Sequence, residues 1–188
     1  AVYKLEEGSV ISDILYDRIL KETVIRRARQ KAVALLERAD RSEAEIKKRL
    51  KLDLYSEPVA NDTIVWLKGL HYLDDDRFAQ NYIRSRITSS SRQELLMKLL
   101  SKGISRESFE DAYEECCSEL KISETHSVEG DSAVRTLRKK LGGKKSLTSK
   151  EKMSAIGYML RKGFRRNDIT AAFDELEITV DPQDIPEE

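Results

Sequence analysis

The sequence repeats itself at an offset of sixty residues. A chain with an internal repeat folds as copies of one small unit stacked on each other, so this feature narrows the choice of fold before any other. Leu99-Leu100-Ser101-Lys102-Gly103-Ile104 recurs as Met159-Leu160-Arg161-Lys162-Gly163-Phe164, and Phe109, Ala112 and Tyr113 are answered by Ile169, Ala172 and Phe173. The last three positions keep the i, i+3, i+4 spacing of one helix face, so each copy predicts a core-facing helix after the shared turn. Gly103 and Gly163 read as the residues just past a helix end, where a left-handed backbone is commonly required.

A first, more diverged copy shows in the helix starts rather than in the glycine. Ser42 with Glu45, Ser91 with Glu94 and Thr148 with Glu151 each have the S/T-x-x-E spacing of a reciprocal capping box. Each box precedes an apolar helix, with Ile46 and Leu50 in the first, Leu95 and Leu99 in the second, and Met153, Ile156 and Leu160 in the third. The last helix of the first copy is expected to start at Ser56, tolerate Pro58 in its first turn, and bury Val59, Thr63, Trp66, Leu67 and Leu70. Asp74, Asp75 and Asp76 mark the next helix start, and the third copy is expected to begin near Asp131. Stretches 123–130 and 142–149 read as loops. The predicted fold is therefore all-α with little or no strand: a helical N-terminal segment at 1–23, three-helix repeats at 24–73, 74–122 and 131–178, and an acidic tail at 179–188.

Most kinds of chemistry find no foothold. The phosphate-binding GxxxxGK[ST] loop, the GxSxG elbow and the HExxH helix are all missing. His71 and His126 lie far apart, and Cys116 and Cys117 are neighbours, which suits neither a disulfide framework nor metal-ligand spacing. The Asp74–Asp76 cluster is better explained as a helix start than as a cation site, and Gly142-Gly143-Lys144-Lys145 reads as a basic turn. No metal, cofactor or catalytic residue is assigned. No apolar run approaches the length of a membrane span and no signal-peptide layout opens the chain, so a cytoplasmic protein is expected.

The formal net charge is zero, yet it is the sum of strongly segregated blocks. Residues 26–51 hold ten Lys/Arg against four Asp/Glu, 77–106 hold seven against one, and 132–168 hold twelve against two. Between them, 52–76 hold one against six, 107–131 one against nine, and 169–188 none against seven. Each repeat thus places positive charge on its first two helices and negative charge around its third. If equivalent helices share a face, three basic patches can follow a phosphate backbone. The alternative is that basic and acidic helices pair within each bundle as surface ion pairs, which are individually worth about 0–1 kcal/mol. Arg84 and Arg86 beside Tyr82, and the trio Arg138, Lys139 and Lys140, suit backbone contact without sequence readout. Tyr72, Phe78 and Tyr82 at helical spacing read as core residues before stacking platforms.

The run Tyr72-Leu73-Asp74-Asp75-Asp76-Arg77-Phe78-Ala79-Gln80-Asn81-Tyr82-Ile83-Arg84-Ser85-Arg86 resembles the most recognisable stretch of the RecX family of recombination regulators. Glu94-Leu95, Lys102-Gly103-Ile104 and the upstream Leu36-Glu37-Arg38-Ala39-Asp40-Arg41-Ser42-Glu43-Ala44-Glu45-Ile46 are similar to family signatures as well. The likeness covers most of residues 28–177 and departs at Ser89-Ser90-Ser91, where members often carry a Lys-Gly pair. It implies an elongated, curved array of three-helix units, acting as a monomer, that binds the RecA recombinase filament on single-stranded DNA. It also implies inhibition of ATP hydrolysis, strand exchange and coprotease activity, and with that a place in DNA repair and the SOS response. The contacts expected on this footing are Arg84, Arg86, Arg92, Lys98 and Lys102 in the middle repeat. Arg38, Arg41, Lys47, Lys48, Lys139, Lys140, Lys144 and Lys145 flank them. A free, sequence-independent nucleic-acid binder and a helical protein-interaction scaffold remain as alternatives.

Overall fold

The computed structural model describes residues 6–119 and 127–181. Among the described residues the fold is all-α, with a single pair of two-residue strands. The chain divides into two units between Asp75 and Asp76.

In the first unit α1 (Asp13–Ile19), a π-helical stretch (Leu20–Ile25) and α2 (Arg26–Leu36) form one continuous helical run, followed by α3 (Glu43–Leu52) and α4 (Glu57–Gly69). Ser42 opens α3 with the full reciprocal box: its hydroxyl accepts from the Glu45 N–H, and the Glu45 carboxylate accepts from the Ser42 N–H. The Asp75 carboxylate accepts from the Glu43 N–H at 2.9 Å, so one of the three aspartates also satisfies a donor at the start of α3. Ala28, Ala32, Ile46, Leu50, Val59, Ala60, Ile64, Leu67 and Leu73 make the core. Two of the expected α4 residues depart from it. Leu70 is the C-cap, beyond the last buried turn, and is 48% exposed. Trp66 is half-buried, with the Arg29 guanidinium 4.9 Å from its ring centre.

In the second unit α5 (Asp75–Arg84), α6 (Arg92–Ser101) and α7 (Arg106–Glu119) gather a core that includes Phe78, Ile83, Ile87, Leu95, Leu99, Ile104 and Phe109. A second core, with Leu137, Leu147, Met159, Phe164, Ile169 and Phe173, lies among α8 (Val128–Leu141), α9 (Ser149–Arg161) and α10 (Arg166–Glu175). β1 (Ser146–Leu147), inside a stretch read as loop, pairs in parallel with β2 (Thr179–Val180), at the start of the stretch read as an acidic tail, of which residues 182–188 lie outside the described residues. α8 begins before Asp131: the Ser127 hydroxyl caps it by accepting from the Gly130 N–H, so Val128–Gly130 are helix rather than loop. His126 lies outside the described residues.

All three second helices end in one kind of turn. Tyr55 N–H donates to the Leu50 carbonyl at 3.1 Å, Ile104 N–H to Leu99 at 3.1 Å, and Phe164 N–H to Met159 at 3.2 Å. The residue just before each donor is left-handed: Leu54 at φ 66°, Gly103 at 86° and Gly163 at 85°. Leucine at such a position costs about 1–2 kcal/mol that glycine does not. The turn also decides which face of α9 is buried. Met159 occupies the place of Leu99, so Ala155 and Met159 point inward while Met153 and Leu160 are 68% and 40% exposed.

The Ser91 box differs from the other two. Its hydroxyl accepts from the Glu94 N–H at 3.0 Å, but the Glu94 carboxylate turns away to Lys98 and Lys162. The same hydroxyl donates to the Lys162 carbonyl at 2.5 Å. Beside it, the Ser132 and Thr136 hydroxyls donate to the carbonyls of Ser90 and Ser89 at 3.0 and 3.4 Å. Ser89-Ser90-Ser91 thus joins the two cores of the second unit through hydroxyl-mediated bonds, a use that sequence position alone does not reveal.

At this joint glycine is needed twice over. A Cβ on Gly163 would stand 2.9 Å from both Gln93 Cβ and Ser91 Oγ, whereas one on Gly142, also left-handed at φ 61°, would meet nothing within 4 Å. Gly142→Ala is therefore expected to cost the backbone strain alone, about 1–2 kcal/mol. Gly163→Ala should cost distinctly more, because Gln93 and Ser91 must also move. For a chain of this size each kcal/mol lowers Tm by about 2–4 °C, so thermal melts of the two variants separate the contributions. Equal melting temperatures would rule out the close approach.

Candidate nucleic-acid interface

In the second unit the turn after α5, the outer side of α6, one face of α8 and the end of α9 enclose a cleft. Arg86, Lys98, Arg135, Lys139, Lys140 and Lys162 line it, against a single carboxylate, Glu94. Thr88, Ser89, Ser90 and Thr136 add hydroxyl and backbone groups, and Tyr158 adds an aromatic ring. Among the described residues Arg86, Arg135, Lys139 and Lys140 have no carboxylate within 4.0 Å. The Arg86 guanidinium lies 4.1 Å from the Tyr82 ring centre and the Lys140 ammonium 5.1 Å from that of Tyr158. These contacts orient both cations without neutralising them.

Helix geometry explains why these residues meet. Arg135 and Lys139 are four residues apart on α8 and so share a face, with Lys140 next to it. Lys162 is the C-cap of α9, placed by the turn that Gly163 closes. Glu94 sits lowest, its side chain 14% exposed, with Lys98 at 2.8 Å and Lys162 at 3.0 Å. Burial pushes the Glu94 carboxyl up, but the hydrogen bonds and charges of Lys98 and Lys162 together outweigh it and hold the group below its ordinary value of 4.5. The site therefore keeps one internal anion bracketed by two lysines, and four cations whose charge is uncompensated. Such a surface suits a polyanion held by its phosphates.

The other candidate contacts are placed elsewhere. The Arg84 guanidinium makes a forked pair with Glu119 at 2.9–3.0 Å. Arg92 pairs with Glu110 and lies over the Tyr113 ring, in a separate groove shared with Glu114, Glu129 and Asp168. Lys102 sits over the rings of Phe78 and Tyr82. Lys144 reaches Glu151 at 2.9 Å and Lys145 reaches Glu177 at 3.1 Å. In the first unit Lys47 shares Glu57 with Lys51, Lys48 and Arg38 are exposed, and Arg41 is half-buried. Of the residues singled out in the sequence, then, Arg86, Lys98, Lys139 and Lys140 come together. Arg135 and Lys162 join them without having been singled out. The i, i+4 relation to Lys139 points to the first, and the repeat relation to Lys102 points to the second.

The two cysteines are neighbours on α7. Cys116 is buried, and burial pushes both thiols above their ordinary range, which lowers the thiolate fraction that a nucleophile or metal ligand needs. Among the described residues no group of three His, Cys, Asp or Glu side chains is placed to hold a metal ion, and no helix is long and apolar enough to cross a membrane.

Comparison with known proteins points one way. Residues 28–67 match the family model described as RecX, first three-helix domain, and residues 74–112 that of RecX, second three-helix domain. The regulatory protein RecX of Salmonella heidelberg is 32% identical over 150 residues, covering 74% of this chain and 85% of that protein. That of Bacillus licheniformis is 29% identical over 178 residues, 93% of this chain, although the chain spans only 65% of that relative's length. A crystal structure of a regulatory protein RecX matches with a TM-score of 0.68 at 19% identity, over 90% of this chain and 83% of the other. The crystal structure of RecX from Lactobacillus salivarius matches with a TM-score of 0.61, also at 19% identity, over 81% and 96%. The two structures share this fold.

The Glu94 cluster carries a pH signature. A carboxyl whose folded pKa lies below its unfolded value contributes stability above that unfolded value and loses the contribution as pH falls through the folded one. Glu94→Gln is expected to cost about 1 kcal/mol at neutral pH. The gap between variant and parent should close as pH drops below 4.5. Denaturant titrations across that range check it, and a gap that persists at low pH would show that ionised Glu94 is not its source.

Proposed function

The chain belongs to the RecX family of regulatory proteins, and on that footing we propose that it binds the RecA recombinase filament on single-stranded DNA and inhibits its ATP hydrolysis, strand exchange and coprotease activities. The observation that supports this reading best is the cleft lined by six cations and one carboxylate. Phosphodiester oxygens meet Arg86, Arg135, Lys139 and Lys140 there, and released counterions supply much of the affinity. The hydroxyls beside them donate to the same oxygens, which positions a backbone without reading its bases. Glu94 keeps Lys98 and Lys162 partly neutralised and so tempers the grip. A protein seated on both DNA and recombinase holds the filament in whichever state it binds more tightly, and regulation of this kind requires no chemistry of its own.

The decisive experiment titrates the protein into recombinase filaments on single-stranded DNA while ATP hydrolysis is followed. Hydrolysis is expected to fall with added protein, and an unchanged rate at saturation would exclude the proposal. Binding to a naked single-stranded oligonucleotide separates the contributors. Replacing Lys139 and Lys140 by alanine should weaken binding about tenfold or more and reduce the salt slope by about 1.4, because each lysine neutralises one phosphate and a single strand contributes about 0.7 to the slope per phosphate. Arg84→Ala should leave that slope nearly unchanged, because its guanidinium is engaged by Glu119. Affinity for the filament that is indifferent to salt would favour a scaffold that touches only protein.

A further inference from the structure

The first unit departs from the other repeats at two neighbouring positions, and both departures put an apolar side chain into solvent. Where the left-handed residue of the shared turn is Gly103 or Gly163, the first unit has Leu54, held at φ 66° and 93% exposed. Where the others carry Ser101 and Arg161 two residues earlier, it has Leu52, 65% exposed. Leu54 therefore strains the backbone and buries almost nothing in exchange, so folding does not account for it. Leu52 also lines a shallow groove along the outer side of α3 with Ala44, Lys47, Lys48 and Lys51. Lys47 and Lys51 already bracket one carboxylate, Glu57, at 3.4 and 3.2 Å, while among the described residues Lys48 has no counter-ion.

We propose that this surface docks a protein segment that presents an apolar side chain flanked by carboxylates, and, resting on the function proposed above, that the segment belongs to the recombinase. Two considerations select a protein. Nucleic-acid backbone would use the lysines but offers nothing to two exposed leucines. A lipid surface would require a broad apolar helix face, and on α3 that face is committed to the core through Ile46 and Leu50, both fully buried. An acidic segment with an apolar anchor satisfies both halves of the surface, the side chain entering beside Leu52 and Leu54 and its carboxylates meeting Lys48 and the one positive charge by which Lys47 and Lys51 exceed Glu57.

Leu54→Gly tests this without endangering the fold, because it installs the residue that the other two repeats use. The whole chain carrying it is compared with the parent and with Lys48→Glu in three measurements: melting temperature, affinity for a single-stranded oligonucleotide, and affinity for recombinase filaments. The expected result is an equal or higher melting temperature for Leu54→Gly and unchanged oligonucleotide binding, with filament binding weakened about tenfold or more for each variant. Filament binding unaffected by both variants overturns the docking surface and leaves the functional proposal standing. A parent chain that does not bind the filament at all removes the functional proposal and this inference with it. Two control assays cover the other occupants: parent binding to anionic phospholipid vesicles, or parent self-association in sedimentation, that is lost in both variants while filament binding is kept would reassign the surface and equally overturn it.

Discussion

The hydrogen bond that closes each second helix, from the N–H of Tyr55, Ile104 or Phe164 to a carbonyl five residues back, organises everything around it. It reverses the chain within one turn and drops the donor's own side chain toward the core, with Ile104 and Phe164 each 3% exposed. In the second unit the turn does more: it places the Lys162 carbonyl against Ser91 and the Lys162 ammonium against Glu94. The cleft is thus a by-product of a helix terminator, and its geometry is inherited from backbone bonding rather than from flexible surface side chains.

Charge on this molecule is divided between two uses. One part is consumed locally, where an acidic helix meets a basic one, as in Arg29 with Asp62, Arg84 with Glu119 and Arg92 with Glu110, or at a helix end, as in Lys31 with Asp53. Exposed pairs of this kind contribute little to stability, but they keep like charges apart and remove those cations from competition for a polyanion. The other part stays open along α8 and the turn after α5. The pairing of helices and the binding of phosphate are therefore features of different residues, and block sums of charge cannot tell them apart because they ignore which way each side chain points.

Helix identity, the shared turns and the buried positions Leu50 and Leu99 follow from periodicity, capping and glycine placement, all of which are local, whereas on α9 the capping box points to Met153 and Leu160, which are exposed, in place of Met159. The reciprocal boxes at Ser42 and Thr148 are equally local. At Ser91 the spacing is the same but the carboxylate answers to two lysines, one of them from a distant turn, and no short-range rule sees that competition. The start of α8 is obscured for a different reason: Gly130 argues against helix by propensity, yet the Ser127 cap and tertiary packing override it. Within the site, Lys139 and Lys140 are visible in the sequence as a basic cluster. Arg135 requires knowing that positions four apart on α8 face the same opening, and Arg84 requires knowing that Glu119 lies opposite.

The small strand pair has a mechanical side. Thr179 N–H donates to the Lys145 carbonyl at 2.8 Å and Asp181 N–H to Leu147 at 2.9 Å, so the segment after α10 is laced to the segment after α8. Parallel strands load both rungs in shear when the chain is pulled from its far end, and the pull passes straight into the bend that carries Lys144 and Lys145. A surface tether grafted immediately behind Asp181 would load these two bonds and, through them, a basic turn remote in sequence.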